Sequence, residues 1–201
     1  LLFLRVLGQR SAALRHAASE AMRERDTMRS LAYTDSLTGL CNRRGMQMAL
    51  QSALAQASPQ RLVALYLMDL DGFKPVNDTY GHDVGDDLLV AVGHRLEANV
   101  RQNTDLVARL GGDEFIVMAR ELATPEQAQE LGRALLHAFE KPFRLSHLSI
   151  QVGLTIGYAL APLDSDDAQH LVRLADAAMY AGKESGKHCI RRNPGELALA
   201  S

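Results

Sequence analysis

Four acids in two pairs are the side chains of this sequence best suited to chemistry. Asp69 and Asp71 end the apolar run "RLVALYLMDLD" (61–71), and Asp113 and Glu114 follow two glycines in "RLGGDEFIVMA" (109–119). Adjacent carboxylates at a hairpin tip repel each other and need a cation. Oxygen donors without histidine or cysteine companions suit Mg²⁺ far better than zinc. Mg²⁺ takes one or two carboxylates and leaves positions for substrate phosphates, so the pattern points to a metal and its nucleotide. An isolated Asp-Glu is more often a solvated turn. The second acidic pair, at the end of a strand expected to lie alongside, weighs against that here.

The stretch "GFKPVNDTYGHDVGDD" (72–87) clusters Gly, Pro, Asn and Asp and reads as a loop. Within it, Asn77 and Asp86 suit a guanine edge, the amide for a carbonyl or ring nitrogen and the carboxylate for N–H groups. His82 in such a loop is more often structural than a ligand. Lys183 and Lys187 lie four apart near a helix end, a spacing that aims both the same way. Two cations so placed neutralise a triphosphate tail; the competing reading is a solvated helical face.

Positioning these groups requires a sheet. The run 61–71 is the buried central strand. "DLVARL" and "EFIVMA" flank Gly111-Gly112 as a tight hairpin. Val84, Leu88, Leu89, Val92 and Leu96 give helical spacing. Thr124 caps a helix with Glu126 in its first turn. "LSIQVGLTIGYAL" (148–160) reads as one strand, 166–183 as a helix and "HCIRR" as a short last strand. A helix also precedes the central strand, ending near Ala57. The order is βαββαβ with additions, an α+β, ferredoxin-like core: a central antiparallel sheet with flanking helices, expected over one face. First and third strands are neighbours in that topology, so the two acidic pairs converge.

Residues 1–32 read as one helix. Leu7, Leu14, Ala21 and Met28 recur every seven, but Arg10, Ala17, Glu24 and Leu31 fill the complementary positions. That is half a coiled-coil seam, consistent with a dimerisation stalk or with a helix packed on its own domain. The apolar start "LLFLRVLGQR" is too short to span a bilayer. It reads as the cytoplasmic end of a membrane helix or as part of an ordinary one. The 201 residues carry a net charge of −2, without the basic footprint of a nucleic-acid binder. Cys41 and Cys189 are far apart and form no metal or redox motif.

Taken together the motifs resemble the GGDEF, or diguanylate cyclase, family. Besides "RLGGDEF", the chain carries "TDSLTGLCNRR", "DLDGFKPVNDTYGHDVGDDLL" and "DAAMYAGKESGKH" in the family's order, over roughly residues 33–192. The resemblance implies a nucleotide-cyclase-like fold that condenses two GTP into cyclic di-GMP and two pyrophosphates, with one GTP per subunit of a homodimer. It implies Mg²⁺, or Mn²⁺ in its place, on Asp69, the Leu70 carbonyl and Asp113, with Glu114 supporting metal or substrate. It places guanine at Asn77 and Asp86 with His82 nearby, and phosphates at Lys183 and Lys187 with Lys74 close. Asp113 or Glu114 would help deprotonate the 3′-OH. Residues 1–32 become a signalling or dimerisation helix after a membrane or sensor segment, and 193–201 a tail or linker. The expected location is the cytoplasm, at the inner-membrane face in a full-length protein.

The sequence also departs from the family pattern. The family's inhibitory product site is R-x-x-D; Asp105 is in place, but Gln102 stands at the arginine position and Arg101 one residue early. Glutamine lacks the charged fork that binds phosphate, so product inhibition should be weak or absent. Cys41 stands where proline is common; Gly182, Lys187 and His188 replace alanine, arginine and asparagine. A silent GTP-binding domain regulating an attached module is the alternative to an active enzyme.

Overall fold

The ten-residue strand β2 (Leu62–Asp71) is the centre of a computed structural model that describes residues 32–192 together with Glu20 and Met22. The helix expected over 1–32 and the tail 193–201 lie almost wholly outside the described residues. Before β2 come the short β1 (Cys41–Asn42) and α1 (Arg43–Leu54), whose start is capped by the Asn42 side chain accepting from the Gly45 N–H at 3.0 Å. After it come α2 (Phe73–Tyr80), α3 (His82–Glu97), and the hairpin of β3 (Leu106–Gly111) and β4 (Glu114–Leu122). Then follow α4 (Pro125–Ala138), β5 (Phe143–Leu145), β6 (Leu148–Ile150), β7 (Gly153–Ala161), α5 (Ala168–Glu184) and β8 (Ile190–Arg192).

The main sheet runs β1-β3-β4-β2-β7-β8, with β2 antiparallel to both β4 and β7. First and third long strands are neighbours, as the split topology requires. Helices cover both faces, not one. Val63, Leu65 and Leu67 of β2 pack under α1 and α5 with Met46, Leu50, Leu171, Ala175 and Met179. Tyr66 and Met68 face α3 and α4 with Leu88, Val92, Leu96 and Leu135. A strand apolar on both sides needs two covers. Tyr66 shows how the second is fixed: fully buried, it stacks on Tyr158 and donates its hydroxyl hydrogen to the Ala128 carbonyl at 2.7 Å.

The expected loop over 72–87 is helical instead. Pro75 falls in the first turn of α2, where its missing N–H costs nothing. Gly81, at φ 87°, turns the chain directly into α3 while its N–H closes on the Asn77 carbonyl at 2.9 Å. The single strand expected over 148–160 is also divided. Residues 148–150 pair with β5 in a separate two-stranded sheet, and β7 begins only at Gly153. Gln151 occupies the break, its amide donating to the Phe139 carbonyl at 2.8 Å. Among the described residues no helix is long and apolar enough to cross a membrane, and both cysteines are free thiols.

Candidate active site

Strand register brings the two acidic pairs together. Asp69 of β2 sits opposite Glu114 of β4, and the Leu70 N–H reaches the Asp113 carbonyl at 3.4 Å. Alternation along β2 puts Asp69 and Asp71 on the α1–α5 face, the same face as Leu65 and Leu67. Lys183, in the last turn of α5, reaches into this group: its ammonium bonds Asp69 and, at 2.6 Å, Asp71. Burial works against that charge, yet the bonds to Asp69 and Asp71 win and raise the Lys183 pKa. Asp71 shows the converse. Burial opposes its ionisation, but Lys183, the His188 N–H and the Thr155 hydroxyl outweigh it and hold the carboxyl below the ordinary range.

Asp113 is pushed the other way. Burial, then the neighbouring Asp69 carboxylate, raise its pKa above the ordinary carboxylate value. The hairpin that carries it is held from outside. The Arg109 guanidinium donates to the Gly112 carbonyl through Nε at 3.0 Å and Nη2 at 2.9 Å, and its Nη1 reaches Asp35 at 3.1 Å. Asp35 accepts in turn from the Thr38 N–H and hydroxyl. Gly111 and Gly112, at φ 134° and 54°, supply the turn. Glu114 is more open and faces Arg43 at 3.7 Å across the start of α1.

The expected nucleotide residues fall into two groups. Asn77 on α2 lies against Gly85 of α3, so close that a Cβ there would meet its Oδ1 at 1.8 Å. That Oδ1 is buried and has no hydrogen-bond partner in the protein, and Asp86 follows Gly85 on the exposed side of α3. Asn77 and Asp86 are thereby brought to neighbouring positions at the α2–α3 junction, with the Asn77 Oδ1 itself packed against Gly85. His82 opens α3, and Lys74 lies in the first turn of α2; both are exposed. Lys187 does not share a helical face with Lys183. The helix ends at Glu184, and Lys187 lies beyond it at φ 63°, exposed. Helical spacing therefore fails as the reason to pair these lysines.

Several partners were not singled out from the sequence: Arg43, Arg109, Thr155 and the backbone of His188. Arg43 and Arg109 stood inside quoted motifs, which was the available signal. Asp105 is buried and already spoken for. It accepts from Arg101 at Nε (3.0 Å), Nη2 (2.7 Å) and the backbone N–H (2.9 Å), and from the Arg120 N–H at 3.3 Å.

No three His, Cys, Asp or Glu side chains among the described residues form a ready-made cation cage. The residues nevertheless fit a hard divalent ion. The donors are oxygens only, and Asp113 is a carboxylate destabilised by burial and then by a like charge. Mg²⁺ typically needs few protein ligands and completes its shell with water and phosphate.

Comparison with known proteins agrees with this geometry. The family model for the diguanylate cyclase GGDEF domain matches residues 32–189. The bifunctional diguanylate cyclase/cyclic di-GMP phosphodiesterase MucR of Pseudomonas aeruginosa is 40% identical over 183 residues, 90% of this chain and 26% of MucR. The solved GGDEF domain of TpbB from the same organism is 38% identical, with a TM-score of 0.77, covering 82% of this chain and 95% of that one. The coiled coil and GGDEF domain of DgcB from Caulobacter crescentus, solved with c-di-GMP, is 27% identical with a TM-score of 0.74, covering 90% and 98%. The chain spans about a quarter of the length of MucR. The motifs, the strand order and the site geometry agree with one assignment: this chain belongs to the GGDEF, or diguanylate cyclase, family.

Proposed function

We propose that the chain condenses two GTP into cyclic di-GMP, working as a homodimer in which each subunit presents one GTP. The observation that carries this reading is the convergence of Asp69, Asp113 and Glu114 with Lys183 at the end of β2. In each of the two steps the 3′-oxygen of one GTP bonds to the α-phosphorus of the other, and pyrophosphate leaves. Asp113 or Glu114 takes the 3′-OH proton. Asp69, the Leu70 carbonyl and Asp113 would hold Mg²⁺, or Mn²⁺ in its place, with Glu114 in support; when bound, the ion supplies Lewis-acid stabilisation of phosphoryl charge. Lys183 and Lys187 meet the phosphates, with Lys74 adding charge. Asn77 and Asp86 hold guanine, with His82 beside it.

One site holds one nucleotide, so two domains must face each other. At protein concentrations below the dimer dissociation constant, turnover should rise with the square of protein concentration. Residues 1–32 would set how the domains meet, as a signalling or dimerisation helix following a sensor or membrane segment in a longer protein. The domain itself would span 33–192 and lie in the cytoplasm, at the inner-membrane face in a longer protein. The test is incubation of concentrated protein with GTP and Mg²⁺, with product analysis by mass spectrometry beside an Asp113→Asn, Glu114→Gln control. Cyclic di-GMP from the parent alone sustains the proposal. Mg²⁺-dependent GTP binding without product, persisting when residues 1–32 are replaced by a strong coiled coil, would instead mark a silent regulatory domain.

Product inhibition through Asp105 should be weak or absent, because Arg101 holds that carboxylate and Gln102 offers no charged fork. Asp105→Ala should cost about 1–3 kcal/mol of stability by stranding its donors. The cyclic di-GMP inhibition curve of the variant should overlay the parent's. Micromolar inhibition that disappears in Asp105→Ala would show a working product site.

A further inference from the structure

We propose that Asp71 is a positioning residue: locked to β7 and to the turn after α5, it anchors the Lys183 ammonium where substrate phosphate charge must be met. The inference rests on the cyclase reading above. It separates the two acids of Asp69-Leu70-Asp71, which point the same way from one strand yet are held very differently.

Asp71 is fastened on several sides. The Thr155 hydroxyl donates to its carboxylate, at 3.0 Å from Oδ1 and 2.8 Å from Oδ2. The His188 N–H reaches Oδ2 at 3.0 Å, and Lys183 Nζ reaches Oδ1 at 2.6 Å. Thr155 is itself fully buried, and its oxygen accepts from the same His188 N–H at 3.2 Å. Its single proton is thereby directed at Asp71. A carboxylate gripped by two elements besides the lysine cannot swing to follow a moving cation.

Asp69 has no comparable restraint. Among the described residues its side chain bonds Lys183 and no second donor. It is the acid left to turn toward a divalent ion, whereas Asp71 keeps the lysine when it does. A lysine stem has four rotatable bonds, so an ammonium without such an anchor would lose its aim. The geometry therefore divides the labour: Asp69 for metal, Asp71 for lysine placement, Thr155 for the orientation of Asp71.

The test is calorimetric binding of the α,β-methylene analogue of GTP, which cannot release pyrophosphate, in the presence of Mg²⁺. Parent, Asp71→Asn, Lys183→Met and the double variant are compared, with melting temperatures recorded alongside. Asp71→Asn should weaken binding by about 10–100-fold, the range for removing the support of a ligating group. In the Lys183→Met background the same change should alter binding by less than about 2-fold, because the group it positions is gone. Thr155→Val should weaken binding in the same direction and Thr155→Ser should restore it; this pair decides the matter if Asp71→Asn does not fold. Unchanged affinity in Asp71→Asn, or effects that multiply independently in the double variant, would overturn the assignment. Analogue binding by a parent that makes no product from GTP, even with residues 1–32 replaced by a strong coiled coil, refutes the cyclase reading and leaves this comparison intact. A parent that does not bind the analogue overturns both.

Discussion

Replacing Asp113 with asparagine should reduce cyclic di-GMP formation by about 10²–10³-fold, the usual cost of losing one preorganised electrostatic group. The same change should leave the metal-free fold as stable as the parent or more so. These opposite signs have one origin. Burial and the Asp69 carboxylate raise the pKa of Asp113 in the folded chain. Above the ordinary value of 3.8 the folded state therefore keeps a proton that the unfolded chain has released. Where the folded state binds more protons, stability falls as pH rises, until the raised pKa is passed. Asparagine carries no such charge. The melting temperature of Asp113→Asn relative to the parent, in chelator, should thus climb from about pH 4 upward and level off once the raised pKa of Asp113 is passed. Adding Mg²⁺ should raise the parent's melting temperature more than the variant's. A variant that melts well below the parent in chelator would make Asp113 a structural residue and remove the inference from its pKa.

The acids themselves were legible because their signals are local. Two glycines before Asp113, and an apolar run ending in Asp69 and Asp71, fix a hairpin and a strand end within short windows. The neighbour relation of β2 and β4 followed from the order of elements, and the register Asp69–Glu114 satisfies it. What stayed hidden depends on distant partners. Thr155 in β7 looks like any strand threonine until β7 pairs with β2 and its hydroxyl meets Asp71. The helical character of 72–87 was masked by Pro75 and the glycines, whose residue types signal loops but whose positions here suit a first turn and a helix junction. Lys187 misled for the opposite reason: a four-residue spacing means something only while the helix continues, and it stops at Glu184. Helices on both faces were implicit in β2, where every residue from Leu62 to Met68 is apolar.

Gly157→Ala should unfold the domain at lower temperature and loosen nucleotide binding in the molecules that remain folded. Gly157 sits in the middle of β7 on the α5 face. A Cβ there would lie 2.1 Å from the Ala175 carbonyl oxygen and 2.1 Å from the Met179 nitrogen. Both are backbone atoms of α5, so no rotamer change relieves the clash. The helix must move away from the sheet. Overpacking of this kind costs about 1–3 kcal/mol; at the upper end that is about 6–12 °C in melting temperature for a domain of this size. Lys183 lies one turn beyond Met179 on the same helix, so displacement of α5 pulls its ammonium from Asp69 and Asp71. A matched control is Ile156→Val, one residue earlier and buried on the opposite face. It should cost about 0.5–1.5 kcal/mol while leaving α5 in place. At a temperature where both variants are fully folded, Gly157→Ala should bind the methylene analogue more weakly than Ile156→Val. Equal affinity in the two would mean that α5 accommodates the methyl group without moving its lysine, and that the close approach at Gly157 serves packing alone.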